Sequence, residues 1–104
     1  MQHQSPMISQ MQIISHNYII ARKLLSNTSY AFTSILSVHE CTDIVFKVNK
    51  AFLSLNDFEK SLINNEFFHQ AYSDWWKKKY KKDEFNSLLK KTVQHFLEVY
   101  YEII

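Results

Sequence analysis

The chain has 104 residues, a length that suits one folded domain and is short for two. Hydrophobic residues make up 46% of it and aromatic residues 15%, which excludes a wholly disordered chain because that much apolar surface can form a core. The net charge of +2 is too small to indicate a polyanionic partner by itself, so only the placement of the charges is informative.

The composition also favours an all-α fold. There is no glycine and only one proline, so the residues that β-hairpins and tight turns require are missing. The single cysteine, Cys41, excludes an internal disulfide, and neither a secretory signal nor an apolar run of membrane-spanning length is visible. We therefore expect a cytoplasmic protein that does not associate with a membrane.

The first ten residues differ from those that follow. They are polar, contain Pro6 and show no apolar period, so residues 1–10 are predicted to be a flexible lead-in. From Met11 onwards the apolar side chains recur at helical spacing, which predicts a first helix that ends near Asn27. Residues 11–104 are expected to form a single helical domain.

The middle of the chain predicts three further helices. Residues 29–38 carry spaced aromatic and aliphatic side chains, which predict a second helix. A third helix is predicted to begin at Cys41 or Thr42. Asn56 is a good N-cap for a fourth helix, because its side chain can accept a backbone N–H and the acids that follow favour the positive end of the helix dipole. This fourth helix is predicted to break around residues 69–72.

The last third of the chain holds the most specific pattern. Ser73 is predicted to cap a short helix that carries both tryptophans, and a lysine-rich turn and a long helix from about Lys82 follow it. One broad face of the long helix is apolar, with Phe85, Leu88, Leu89, Val93, Phe96, Leu97 and Tyr100. This layout is typical of a helix-turn-helix, whose second helix can enter a DNA major groove. The predicted architecture is a compact five- or six-helix domain with a C-terminal tri-helical module of this kind.

Residues 53–100 carry a resemblance to a known family of DNA-binding modules. The matching positions are Leu55, Glu59, Lys60, Leu62, Ile63, Phe67, Trp76, Tyr80, Phe85, Lys90, Lys91, Val93, Phe96 and Leu97. The stretch resembles the helix-turn-helix of sigma-70 region 4, and more closely the phage-type ArpU and RinA transcriptional regulators and similar helix-turn-helix proteins of mycoplasmas. Asp83 and Glu84 replace the small hydroxyl residues that open the family's recognition helix, and the usual turn glycine is absent.

The resemblance implies a small DNA-binding protein associated with transcription. In such modules the exposed turn and helix positions contact double-stranded DNA, and here these positions hold Lys81, Lys82, Asn86, Ser87, Lys90 and Lys91. The lysines would contact phosphates, while Asn86 is suited to an adenine edge. The alternative is a helical interaction module that kept the fold without binding DNA and contacts RNA polymerase or another protein through Trp75 and Trp76.

Other roles have less support in the residues. The five histidines lack metal-ligand spacing and a lone cysteine excludes the usual zinc clusters, so neither a metal nor a cofactor is expected. An enzyme is not expected either, because phosphate loops and nucleophile elbows need glycine. The lysines of residues 77–82 could instead form a plain solvated surface, or flank a tryptophan platform for single strands. The apolar residues near the C-terminus either close the core or form a homodimer seam; they are Tyr100, Tyr101, Ile103 and Ile104.

Overall fold

The computed structural model describes residues 6–26, 38–69 and 75–102, and all regular structure within them is helical. The helices are α1 (Pro6–Ser26), α2 (Val38–Leu53), α3 (Asp57–Ile63) and α4 (Lys82–Glu102). A π-helical segment, Asn64–Phe68, continues directly from α3. The all-α prediction is confirmed, although the described residues contain four α-helices and not five or six. No helix in these residues has the length and apolar character needed to cross a membrane.

Helix α1 begins at Pro6, so residues 6–10 are helical and do not form the flexible lead-in that their composition predicted. Residues 1–5 lie outside the described part of the chain. Proline is favoured at the first position of a helix, where its missing N–H costs nothing. Met7 and Ile8 then pack against the core, and Met11 is fully buried. These apolar contacts explain why the helix extends beyond the predicted start.

Helix α2 begins at Val38, earlier than the predicted start at Cys41 or Thr42. The Thr42 hydroxyl donates a hydrogen bond to the Val38 carbonyl oxygen, 2.8 Å away, within the first turn of the helix. The rest of the second predicted helix, residues 29–37, lies outside the described residues. A hydrogen bond from the Tyr18 hydroxyl to Asn49 Oδ1, 2.7 Å long, joins α2 to α1.

Asn56 caps α3 as predicted. Its side chain accepts the Glu59 backbone N–H at 2.8 Å, and the Glu59 carboxylate accepts the Asn56 N–H at 3.0 Å, which completes a capping box. The same carboxylate lies 3.0 Å from His95 Nδ1 on α4. The start of α3 is therefore tied both to its own first turn and to the long last helix.

The cap makes a measurable contribution to stability. Replacing Asn56 by alanine should lower the free energy of unfolding by about 1 kcal/mol, because a backbone N–H of the first turn loses its acceptor. Asn86→Ala is the matched control, since Asn86 is exposed within α4 and should change stability by less than about 0.5 kcal/mol. Urea denaturation measures both values, and equal losses in the two variants would contradict the capping role.

The π-helical segment changes the hydrogen-bond register of the chain after α3. The His69 backbone N–H donates to the Asn64 carbonyl oxygen, five residues earlier, at 2.8 Å. The wider turn buries Phe67 and half-buries Phe68 against the core. The helical run ends at Phe68, next to the break predicted at residues 69–72, of which residues 70–72 lie outside the described part of the chain.

The core lies between α4 and the other three helices, against all of which α4 packs. The predicted apolar face of α4 is confirmed, since its seven residues are all buried or half-buried: Phe85, Leu88, Leu89, Val93, Phe96, Leu97 and Tyr100. The opposite side of the helix is exposed as predicted. Helix α4 therefore packs against other helices along its length, and its first turn supports residues 75–81, which precede it.

Candidate nucleic-acid interface

Five exposed lysines lie within six residues immediately before and at the start of α4. These are Lys77, Lys78, Lys79, Lys81 and Lys82, which we call the lysine turn. Two hydrogen bonds shape its backbone, from the Lys79 and Tyr80 N–H groups to the Trp76 carbonyl oxygen at 3.0 and 2.9 Å. No acidic residue interrupts residues 75–82. The positive charge is therefore concentrated in one short exposed loop.

The predicted short helix with the two tryptophans is not a helix in the described residues 75–80. Trp75–Lys79 form hydrogen-bonded turns, and the predicted cap Ser73 lies outside the described part of the chain. Within the described residues, the backbone bonds from Lys79 and Tyr80 to the Trp76 carbonyl oxygen form a single turn. The physical reason lies in the side chains, which converge on a single ring of α4.

Phe85 is the ring on which the turn is fixed. Its side chain is 3% exposed. The Trp76 ring stacks on it at 4.6 Å and 6°, and the Trp75 ring meets it edge-on at 5.5 Å and 86°. Tyr80 contacts Phe85 from the other end of the turn at 6.2 Å. Aromatic pairs in these geometries contribute about 0.5–1.5 kcal/mol each beyond the area they bury.

A hydrogen bond fixes the first tryptophan further. The Trp75 indole Nε1–H donates to Glu66 Oε1 at 2.9 Å, which links the turn to the π-helical segment. Trp75 and Trp76 are both half-buried and both use ring surface inside the molecule. Their predicted role in partner binding stays a prediction, but their contacts with Phe85 already give them a structural role.

The six residues predicted to contact DNA are all exposed, but they do not share one side of α4. Lys81 and Lys82 belong to the lysine turn, and Asn86 follows Lys82 by about one helical turn on nearly the same side. Lys91 lies about 180° around the helix axis from Lys82, and Ser87 about 140° from it. The structure therefore brings together Lys81, Lys82 and Asn86 and separates Ser87 and Lys91 from them. Lys90 lies one turn beyond Asn86, about 80° around the helix axis from Lys82.

The charge along α4 opposes its predicted groove contact. The helix carries three lysines, Lys82, Lys90 and Lys91, against four acids, Asp83, Glu84, Glu98 and Glu102. All seven side chains are exposed. Burial raises the pKa of Tyr100 above its ordinary value, although Lys47 nearby acts in the opposite direction, so this tyrosine adds no charge at neutral pH. With Lys82 counted in the lysine turn, these residues give the rest of α4 a net charge of −2, in contrast to +5 for the lysine turn.

Part of this candidate interface was predicted from the sequence, and part was missed. Lys77, Lys78 and Lys79 were not among the predicted DNA contacts, although five lysines in six residues were a visible signal. Among the described residues no group of three His, Cys, Asp or Glu side chains could hold a metal ion. No protein-family model, no curated protein and no solved structure matches the chain. The resemblance to sigma region 4 therefore rests on the residues that carry it.

Proposed function

We propose that this chain is a small DNA-binding protein, associated with transcription in the cytoplasm, that contacts the phosphate backbone through the lysine turn. The observation that carries the proposal is the placement of five exposed lysines on a loop fixed by Trp76 and Phe85. Lysine ammonium groups bind phosphates as compact point charges. A loop that is already ordered loses less entropy when it binds, so more of the electrostatic attraction remains as affinity.

The charges also determine how the protein would approach the duplex. Four acids along α4 would oppose a docking in which the whole helix lies in the groove, because the groove is lined with phosphates. The lysine turn would contact the backbone instead, with only the first turn of α4 close to the DNA. Lys82 would then contact a phosphate, and Asn86 would be the first residue placed to contact an adenine edge.

If the lysine turn is the main DNA contact, the proposed resemblance to sigma region 4 holds for two of the three helices of the module. The tri-helical module would consist of α3 with its π-helical continuation, the lysine turn in place of the short helix, and α4. Asp83 and Glu84 occupy the first turn of α4, where they favour the positive end of the helix dipole. These two acids would stabilise the helix that supports the lysine turn, at some cost to DNA affinity. The five- or six-helix count stays a prediction.

Duplex-DNA binding measured by fluorescence anisotropy at several salt concentrations tests the proposal. Five phosphate contacts predict a slope of about −4.5 for log affinity against log salt, or roughly a 500-fold loss between about 50 and 200 mM salt. Lys78→Gln/Lys79→Gln should reduce the slope to about −2.7, a roughly 40-fold loss over the same range. Mixed-sequence duplexes suffice, because phosphate contacts carry no sequence information.

Lys90→Gln/Lys91→Gln is the matched control, because it removes the same charge from exposed positions more than two helical turns further along α4. We expect its salt slope to equal that of the unaltered protein. A fall in slope as large as that of the lysine-turn variant would contradict the lysine turn as the main contact and favour a helix that lies along the groove. Absence of binding at about 50 mM salt would contradict DNA binding altogether.

A second candidate is an interaction module without DNA binding, and one observation favours it. Helix α2 exposes Phe46 and Leu53, which are 56% and 71% exposed and lie seven residues apart on the side opposite Val48. Such residues are suited to contact RNA polymerase, another protein or a second copy of the chain. If DNA binding is absent, sedimentation at increasing protein concentration would distinguish a homodimer from a monomer that needs a different partner.

A further inference from the structure

A cleft with a distinct chemistry lies between the C-terminal half of α1 and the end of the π-helical segment. Its volume is about 360 Å³, and it is lined by Ile19, Arg22, Lys23, Ser26, Phe68 and His69. The four α1 residues follow the i, i+3, i+4, i+7 spacing that places side chains on one side of a helix. We call this feature the α1 cleft. It is separate from the lysine turn and shares no residue with it.

The charge in the α1 cleft is positive. Arg22 and Lys23 lie on one wall, and neither α1 nor the six lining residues include an acid. The C-terminus of a helix favours cations because it carries about −0.5 of an elementary charge, but two cations outweigh that partial charge. The Ser26 hydroxyl donates to the Lys23 carbonyl oxygen at 3.0 Å, which satisfies one of the last carbonyls.

The donors in the cleft are partly fixed in position. The Arg22 guanidinium lies over the Tyr18 ring, with its carbon atom 5.5 Å from the ring centre, so a cation–π attraction restricts the position of its N–H donors. His69 can add an imidazole N–H at the other wall. An arginine fork, an ammonium group and an imidazole are together the donor set that phosphate oxygens accept from.

The other lining residues among those described, Ile19 and Phe68, are apolar. The Phe68 ring packs against Tyr18 at 5.0 Å and against Phe52 at 5.6 Å, and Ile19 lies on the facing wall. Phe68 is also the last residue of the π-helical segment, a feature that often occurs at functional sites. The cleft therefore combines a charged rim with an apolar wall, which suits an anion attached to an apolar or aromatic body.

We propose that the α1 cleft binds a small organic phosphate. Arg22 and Lys23 bind its phosphoryl oxygens, and its apolar or aromatic body lies against Ile19 and Phe68. This site is independent of the proposed contact between the lysine turn and DNA, so either function can fail without the other.

Titration of the full chain with phenyl phosphate, followed through backbone amide NMR shifts, tests this inference. We expect a Kd of about 1 mM or tighter, with the largest shifts at residues 22–26 and 68–69. Arg22→Gln/Lys23→Gln should weaken binding about tenfold or more, since both substitutions keep good helix formers and remove only the charges. Lys90→Gln/Lys91→Gln loses the same charge elsewhere and should leave the Kd within about twofold.

Two further ligands test the two halves of the site. Inorganic phosphate should bind about tenfold more weakly than phenyl phosphate, and phenol should give no shifts at these residues up to about 10 mM. Equal affinity for inorganic and phenyl phosphate would mean an adventitious ion only and would overturn the proposal. The largest shifts at residues 77–82, or no shifts at about 10 mM phenyl phosphate, would overturn it as well.

Discussion

Replacing Phe85 by alanine should lower the free energy of unfolding by about 3–5 kcal/mol. The ring is 3% exposed and contacts Trp75, Trp76 and Tyr80, so its removal leaves a cavity and three aromatic side chains without their common partner. A total stability of about 5–15 kcal/mol is usual for a domain, so the loss would be a large fraction of it. Urea denaturation followed by far-UV circular dichroism measures the change.

Tryptophan fluorescence gives a second and more local measurement. The chain has two tryptophans, and both adjoin the lysine turn, so their emission reports on that turn and not on α1 or α2. In Phe85→Ala the fluorescence midpoint should fall below the circular dichroism midpoint, because the turn would detach before the helices unfold. The slope of DNA affinity against salt should change less than the affinity itself, because the five lysines are still present.

Phe46→Ala is the matched control, because it removes the same ring from an exposed place. Phe46 is 56% exposed on α2 and contacts Lys50, whose Nζ lies 5.7 Å from the ring centre. Its loss should cost below about 1 kcal/mol and leave the two midpoints coincident. A cost below about 1 kcal/mol for Phe85→Ala would mean that Phe85 does not fix the turn, and the ordered loop in the functional proposal would lose its support.

The parts of the fold that followed from the sequence are those governed by local rules. The apolar period of α4 predicted its buried face, because the same helical spacing places side chains on one side in any helix. Asn56 was correct as a cap since the capping box uses only residues three positions apart. No glycine was needed to end α3, because the chain continues into the π-helical segment at Asn64.

The segment before α4 could not be predicted in the same way. Trp75, Trp76 and Tyr80 have helical spacing, but all three rings pack against Phe85, which lies five to ten residues further along the chain. Tertiary packing of this kind overrides a weak local preference for helix. The π-helical segment was also invisible, because it differs from an α-helix in hydrogen-bond register and not in composition.

The candidate site was predicted only in part. The predicted start of the long helix near Lys82 is confirmed, but the six predicted contacts follow from the resemblance and not from helical spacing. With that start, Lys91 lies about 180° around the helix axis from Lys82. The six predicted residues therefore cannot all contact DNA from one face of α4. The balance of four acids against three lysines on α4 then moves the proposed contact to the lysine turn.

Replacing Phe96 by alanine should also lower the free energy of unfolding by about 3–5 kcal/mol. The circular dichroism and tryptophan fluorescence midpoints should respond differently from those of Phe85→Ala. Phe96 is fully buried, stacks on Tyr100 at 5.9 Å, and lies in the helix that packs against α1, α2 and α3. Its loss should weaken all four helices together, because the predicted single domain shares one core. The fluorescence and circular dichroism midpoints should therefore fall by the same amount.

Tyr101→Ala is the control for this variant, since Tyr101 is 60% exposed near the end of the same helix and should cost below about 1 kcal/mol. If the midpoints of Phe96→Ala separate, α4 and the turn do not unfold with the other helices and the single-domain prediction is wrong. If they coincide while those of Phe85→Ala separate, Phe85 holds the lysine turn on a cooperative core. The lysine turn would then unfold as a local unit, attached by its ring contacts with Phe85 and by the hydrogen bond from Trp75 to Glu66.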